Sequence, residues 1–159
     1  MKYTILCVGK IKEKYWNDAI SEYTKRLSRY GTTSIVQVDD EKTPDRPTDR
    51  EREQILTIEA SRLCKHLDEH GYLITLEING EKFTSEGLSQ KIEQIKSGGY
   101  SHIQFVIGGS LGLSNVITQK ADLHMSFSDL TFPHQMMRVI LLEQIYRSCR
   151  IANNEPYHK

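Results

Sequence analysis

The sequence predicts a single α/β domain over residues 1–159, with a mainly parallel sheet and helices on both faces. Short β-branched runs alternate along the chain with longer segments whose apolar residues recur every three or four positions. A length of 159 residues suits one hydrophobic core. A composition of 38% hydrophobic and 26% charged residues is typical of a folded protein rather than a disordered one.

Five strands are predicted from the short apolar runs, because each run is bounded by glycine, a charged loop or turn residues. They are expected at residues 2–8, 32–38, 72–78, 103–107 and 123–127. Asn79 and Gly80 form a typical turn dipeptide, so they are predicted to end the third strand. In open parallel sheets, ligands bind beyond the carboxyl ends of the strands.

Helices are predicted at residues 14–29, 48–71, 85–96 and 133–151. The second begins with a capping box, since Glu51 stands three positions after Thr48. The last helix carries apolar residues around more of its circumference than one core face requires. We therefore expect a partner subunit to cover part of it.

Composition limits the classes of function. The apolar stretches are far shorter than the roughly 18 residues of a membrane-spanning helix, and the first residues do not form a secretory signal. The three cysteines are widely spaced, which predicts neither a disulfide framework nor a metal site. These features predict a cytoplasmic protein without metal or membrane contact. Lysine and arginine total 21 and aspartate and glutamate 21, so only local patches favour nucleic acid.

The loop at residues 108–112 contains three glycines, which allow a close approach of ligand to backbone. It matches neither the dinucleotide fingerprint nor the phosphate-binding motif. It does fit the G-x-S-x-G motif of serine hydrolases, with Ser110 as nucleophile. Candidate triad partners are Asp122 or Asp129 with His134 or His158. One observation opposes this hypothesis. Residues 113–115 are predicted to form a loop, whereas the motif requires a helix directly after the serine.

The segment from His66 to His70 matches H-x-x-E-H, a metal-binding helix motif. We interpret these histidines instead as residues of a last helical turn, where imidazoles interact favourably with unpaired carbonyl groups.

Three strings of the C-terminal third are the most specific feature. They are FVIGGSLGLS (105–114), MSFSDLTFPH (125–134) and QMMRVILLEQIYRSCRIANNEPYHK (135–159). Together they resemble the ribosomal RNA large subunit methyltransferase H family, within the knotted SPOUT class of RNA methyltransferases. The similarity extends over the whole length of the chain.

The resemblance implies a C-terminal trefoil knot, a homodimer and S-adenosylmethionine as the cofactor. Carried over by position, the implied cofactor pocket comprises Leu76, Gly108, Phe127, Ser128, Asp129, Leu130, Thr131 and Phe132. Backbone amides of the 127–132 loop and apolar side chains would hold the adenine.

The resemblance also implies methyl transfer to the N3 nitrogen of a pseudouridine in 23S ribosomal RNA, with the assembled ribosome as the expected partner. We expect Tyr157 and His158 to handle the imide proton, and His134 and Arg138 to position the substrate. The cations expected to contact RNA are Lys10, Lys12, Lys14, Arg138, Arg147, Arg150 and Lys159. A serine hydrolase and a non-catalytic RNA-binding or ribosome-binding module remain as alternatives.

Overall fold

The structure is a computed structural model that describes residues 1–157. Its strands are β1 (Lys2–Val8), β2 (Thr32–Val38), β3 (Tyr72–Lys82), β4 (His102–Ile107) and β5 (Leu123–Ser126). They form one five-stranded sheet in the order β2-β1-β4-β3-β5. All four neighbouring pairs are parallel, which confirms the predicted sheet.

The helices are α1 (Lys14–Leu27), α2 (Asp49–Cys64), α3 (Ser85–Ser97), α4 (Asn115–Thr118) and α5 (His134–Ala152). Two hydrophobic cores place them on opposite faces of the sheet. On one face, Leu27 of α1, Ile92 of α3 and Leu141 of α5 are buried in one cluster. On the other, Leu63 of α2 and Ile117 of α4 are buried in a second cluster. Helices therefore cover both faces, as predicted.

The second helix begins as predicted but ends too early. Thr48 Oγ1 accepts the Glu51 N–H and Glu51 accepts the Thr48 N–H, which completes the capping box. The helix ends at Cys64, so the prediction that it continues to Gly71 is wrong. The following segment instead binds β4. Gln104 accepts the Asp68 N–H at 2.7 Å, and the Asp68 carboxylate lies 2.8 Å from His102 Nδ1.

The predicted turn at Asn79 and Gly80 is also wrong, because β3 continues through both residues to Lys82. The strand pairs with β5 in two stretches, separated by an irregularity between Leu76 and Glu81. A Cβ atom on Gly80 would lie 2.5 Å from the carbonyl carbon of Met125. The glycine is thus required by the close approach of β5 rather than by a hairpin turn.

No helix within residues 1–157 is both long and apolar enough to cross a membrane.

Candidate cofactor-binding site

A cavity of about 450 Å³ lies at the carboxyl ends of β3, β4 and β5. This is the edge of a parallel sheet at which ligands bind. Its walls come from the end of β3, the glycine loop after β4, the loop between β5 and α5, and the first turn of α5. Residues lining it include Leu76, Ile78, Asn79, Gly108, Gly109, Ser110, Leu113, Met125, Phe127, Ser128, Leu130, Thr131, Phe132, His134 and Met137.

The glycine loop forms one wall of the cavity by turning tightly back on itself. The Gly112 N–H donates to the Gly109 carbonyl oxygen at 3.0 Å, and Gly112 has a φ of +85°. A Cβ atom on Gly108 would overlap the carbonyl oxygen of Gly112. Only glycine fits at position 108 without displacing backbone, so the wall consists largely of main chain.

The wall opposite the glycine loop is the loop between β5 and α5. The Ser126 hydroxyl donates to the carbonyl oxygens of Ile78 at 2.8 Å and Ser128 at 3.2 Å, which ties this loop to the end of β3. The Leu130 N–H donates to Ser128 Oγ at 3.0 Å. Leu130 itself is 71% exposed, so its side chain lies at the rim of the cavity.

The cavity brings together most of the residues predicted to bind the cofactor. Leu76, Gly108 and the loop residues Phe127, Ser128, Leu130, Thr131 and Phe132 all line it. Asp129 does not, because its carboxylate turns outward to Lys82 Nζ at 2.5 Å.

Sequence reasoning missed several lining residues, including Ile78 and Asn79. Ile78 was predicted as the last residue of the third strand and Asn79 as part of a turn, whereas the strand continues through both and carries them into the wall of the cavity. Met125 lies on β5 and Met137 on α5, so the apolar pattern of these elements did not distinguish either from an ordinary core residue.

His134 lines the cavity from the first turn of α5. The pKa of its imidazole is lowered from 6.5, first by partial burial and then by the positive charge of Arg138. The neutral ring therefore predominates at neutral pH, and a neutral imidazole offers one hydrogen-bond donor and one acceptor.

Arg138 was predicted to position substrate, but its guanidinium is only 1% exposed and lies beneath the site. Nη2 donates to the carbonyl oxygens of Val8 at 2.9 Å and Gly9 at 2.7 Å, and Nη1 donates to Gln37 Oε1 at 3.0 Å. These bonds fix the start of α5 to the ends of β1 and β2. Arg138 is thus placed to support the site rather than to line it.

Tyr157 packs against the C-terminal half of α5 and does not line the cavity of its own chain. Its hydroxyl donates to Glu143 Oε1 at 3.1 Å, and the Arg147 guanidinium lies 4.7 Å from the centre of its ring. Burial and the Glu143 carboxylate raise the pKa of Tyr157 to about 12. The phenol is therefore protonated at neutral pH and is unsuited to act as a base. His158 lies outside the described residues.

The cations predicted to contact RNA differ in their surroundings. Arg147 pairs with Glu143 at 2.5 Å and Arg150 with Glu155 at 2.9 Å, so both are bound to carboxylates of their own chain. The more exposed group follows β1 and comprises Lys10, Lys12 and Lys14; Lys10 pairs with Asp39 and Lys14 with Asp18, both at the surface. Lys159 lies outside the described residues.

Comparison with known proteins identifies the family. A model described as Predicted SPOUT methyltransferase matches residues 1–158. Ribosomal RNA large subunit methyltransferase H of Bifidobacterium adolescentis is 54% identical over 159 residues, covering 100% of both chains. The chain belongs to the ribosomal RNA large subunit methyltransferase H family. A candidate member of this family from Methanococcus maripaludis is 58% identical, again over 100% of both chains.

Solved structures agree on the fold of this family member. A tRNA (m1G37) methyltransferase from Aquifex aeolicus matches with a TM-score of 0.55 at 13% identity, covering 100% of this chain and 74% of that one. A probable methylase family protein from Haemophilus influenzae matches with a TM-score of 0.53 at 13% identity, covering 99% and 70%. The chain thus has the trefoil-knot fold class of SPOUT methyltransferases, as the resemblance implied.

Family membership confirms S-adenosylmethionine as the cofactor, and the cavity fits it. A volume of about 450 Å³ lies within the usual range for small-molecule sites. Leu76, Ile78 and Met125 supply apolar wall for an adenine ring. Gly108 allows the Gly112 main chain to fold back against it, because a Cβ atom would overlap the Gly112 carbonyl oxygen, and this tight loop forms one wall for the ligand. The backbone of the 127–132 loop offers donors and acceptors for the adenine edge.

The serine hydrolase hypothesis is wrong for a methyltransferase of this family, and the local geometry explains why the motif misled. The Ser110 hydroxyl lies 2.9 Å from Thr43 Oγ1, and Asp122 accepts the Leu73 N–H at 2.7 Å. The chain after Ser110 makes a turn, and α4 begins only at Asn115. Ser110 is thus a turn residue, not the nucleophile of a strand-turn-helix elbow.

The H-x-x-E-H segment lies beyond the end of α2, so its histidines do not share a helix face. The interpretation of these histidines as residues of a last helical turn is wrong for the same reason. Within residues 1–157, no group of three or more His, Cys, Asp or Glu side chains is arranged to hold a metal ion.

Proposed function

We propose that this chain transfers the methyl group of S-adenosylmethionine to the N3 nitrogen of a pseudouridine in 23S ribosomal RNA, on the assembled ribosome. The observation that carries the proposal is full-length similarity to ribosomal RNA large subunit methyltransferase H, combined with a cavity that fits the cofactor. The proposed place of action is the cytoplasm, where ribosomes are found.

The residues that would hold the cofactor are Leu76, Gly108 and the loop residues Phe127, Ser128, Leu130, Thr131 and Phe132. The cofactor supplies an activated methyl group on sulfur. The task of the protein is to hold the acceptor nitrogen in line with that group and to exclude water. The glycine-loop main chain on one wall and apolar side chains such as Leu76 and Met125 on another suit both tasks, because a bound cofactor would displace water from them.

The acceptor nitrogen must lose its imide proton, and His134 is the described group best placed to assist. Its lowered pKa keeps the imidazole neutral, so it can accept a hydrogen bond from the substrate base. We assign Arg138 a positioning role, because it fixes the helix turn that carries His134. The protonated phenol of Tyr157 suits substrate positioning better than proton removal. The role of His158 as base stays a prediction.

We further propose that the active form is a homodimer. Tyr157 is bonded to Glu143, nine residues beyond His134, which separates the two by about 13 Å along the helix axis. Tyr157 of one copy therefore lies away from its own cavity. The face of α5 that carries Met136, Val139 and Ile140 is only half-buried. A second copy packed on this face would cover those side chains and bring its own C-terminal end close to the cavity.

The decisive experiment measures methyl transfer to free 23S ribosomal RNA, isolated large subunits and whole ribosomes, each from cells that lack this enzyme. We expect whole ribosomes to be methylated fastest, with the methyl group on N3 of one pseudouridine in digested RNA analysed by mass spectrometry. Ribosomes from cells that also lack the responsible pseudouridine synthase serve as the control. Methylation of another nucleotide, or equal rates on free RNA, would contradict the corresponding part of the proposal.

A further inference from the structure

An exposed aromatic pair begins α1. Tyr15, in the first turn of the helix, is 63% exposed although it is a large aromatic residue. The Trp16 ring lies beside it, with ring centres 5.0 Å apart and the planes tilted by 56°. Because Tyr15 contributes little to the hydrophobic core, its accessible ring is free to stack on a ligand.

Two lysine residues, Lys12 and Lys14, precede Tyr15 in the chain. Lys12 and Lys14 are both exposed, and the Lys14 side chain retains 88% of its accessible surface. Lys14 pairs with Asp18 at 2.8 Å, but an ion pair at this exposure contributes little and exchanges readily with other anions. An aromatic face beside mobile cations is the combination that binds single-stranded nucleic acid, where bases stack and phosphates meet lysines.

The same segment is fixed beside the cofactor cavity. Glu13 Oε2 accepts a hydrogen bond from Gln135 Nε2 at 3.0 Å, and Gln135 directly follows His134 of the cavity wall. The Ile11 N–H donates to Gln37 Oε1 at 2.8 Å, and Arg138 donates to that same oxygen. The lysines and Tyr15 therefore belong to the edge of the sheet at which the methyl group is delivered.

We propose that Tyr15 is a stacking platform for an unpaired nucleobase of the RNA substrate, with Lys12 and Lys14 at the neighbouring phosphates. The identity of the substrate as RNA rests on the proposed function. A base near the methylated nucleotide would stack on the tyrosine ring and thereby set the register of the strand at the cavity. Duplex RNA would gain little affinity from the tyrosine ring, because its bases are already stacked within the helix.

The experiment compares Tyr15→Ala with Tyr15→Phe, which keeps the aromatic ring. Trp16 is the only tryptophan of the chain, so its fluorescence reports directly on the neighbouring ring. The probes are a single-stranded oligouridine of about ten nucleotides, a length within the site sizes of such proteins, and a duplex of equal length. Circular dichroism and calorimetric affinity for S-adenosylmethionine confirm that each variant is folded with an intact cofactor site.

We expect the single strand to quench Trp16 in the wild type and in Tyr15→Phe, with similar affinities. Loss of one stacked base should weaken binding by Tyr15→Ala about tenfold or more. Affinity for the duplex should be unchanged in both variants. Unaltered single-strand affinity in Tyr15→Ala would overturn the proposal. So would dissociation of a dimer by Tyr15→Ala but not by Tyr15→Phe, which would show that a second copy covers the ring.

The binding assay also separates this proposal from the proposed function. A wild-type protein that binds the single strand through Tyr15 but methylates no ribosomal RNA would refute only the assigned reaction. A protein that methylates ribosomes at the same KM and rate with or without the Tyr15 ring would refute only the stacking platform.

Discussion

Gly108 shows most directly how one residue creates the site. The backbone of Gly112 occupies the space that any side chain at position 108 would need, so the glycine loop can close only with hydrogen there. The pKa of His134, on the wall of the same cavity, is lowered by the surroundings of the ring. The glycine motif was recognisable from the sequence, because glycine at a strand end signals close approach of backbone. The lowered pKa of His134 was not, since its main cause is the desolvation of the ring, which depends on the tertiary structure around the first turn of α5, and the charge of Arg138 comes second.

Substitution of Gly108 by alanine should weaken the affinity for S-adenosylmethionine about tenfold or more, because a Cβ atom there would overlap the Gly112 carbonyl oxygen and displace the loop that forms the cavity wall. Isothermal titration calorimetry measures the effect. Gly87→Ala in α3 is the matched control, since the nearest neighbours of its Cβ would be side-chain atoms, of Thr84 at 3.3 Å and of Phe83 at 3.8 Å. Equal cofactor affinities for the two variants would show that the glycine loop does not form the site.

The rate of methyl transfer should fall as the pH is lowered. The midpoint of this fall should lie below pH 6.5, because the pKa of His134 is lowered from that value. In linkage terms, the unfolded chain binds the His134 proton more tightly than the folded chain does. The contribution of His134 to the free energy of unfolding is therefore complete above pH 6.5, and it is lost as the pH falls through the lowered pKa of the folded state.

The measurement is a pH profile of single-turnover rates. His134→Gln should remove this acid limb, whereas His70→Gln, at an exposed position beyond α2, should retain it. An acid limb that persists in His134→Gln would assign the titration to another group.

The strands and helices were predicted well where local chemistry determined them and poorly where tertiary contacts did. The capping box at Thr48 set the start of α2, and both partners of the box lie within four residues. The end of the same helix depends on Gln104 and His102, about 40 positions later, so periodicity could not locate it. The extension of β3 past Asn79 likewise depends on β5. The failure to predict Asn79 as a cavity residue follows from that second error.

The link between α5 and the ends of β1 and β2 should be sensitive to Arg138. Arg138→Met leaves the Val8 and Gly9 carbonyl groups without this donor. Because an unpaired buried polar group costs about 1–3 kcal/mol, we expect the free energy of unfolding to fall by at least about 2 kcal/mol.

Urea denaturation monitored by circular dichroism tests this expectation. Arg138→Lys should recover only part of the loss, since one ammonium group does not reproduce the fork of the guanidinium. Arg26→Met is the control, because the exposed Arg26 to Glu22 pair contributes under about 1 kcal/mol. If Arg138→Met and Arg26→Met lowered the free energy of unfolding equally, Arg138 would not stabilise the link between α5 and the ends of β1 and β2.

The molecule as a whole combines zero formal charge with a cationic segment near the cofactor cavity. A neutral chain binds nucleic acid weakly in general, so recognition has to come from shape, stacking and a structured target. The fold class and the cofactor were predictable because the C-terminal strings are specific to one family. The placement of Tyr157 was not, because it depends on how that residue packs against Glu143 and Arg147 of α5.

The proposed homodimer should depend on the half-buried face of α5. Val139→Glu introduces a charge there, and we expect it to shift the protein from dimer to monomer in sedimentation equilibrium while S-adenosylmethionine binding persists more weakly. Ile58→Glu places the same charge on α2, on the opposite face of the sheet, where Ile58 is 41% exposed. It should leave the dimer intact. A monomeric wild type, or dissociation by both variants alike, would argue against this interface.

The most direct test of the account is a crystal structure of the protein with S-adenosylmethionine. We predict electron density for the cofactor in the cavity between the Gly108 loop and the 127–132 loop, with the adenine against apolar side chains and the methyl group directed toward His134. Density at another place on the molecule, with this cavity left empty, would contradict the assignment of the site.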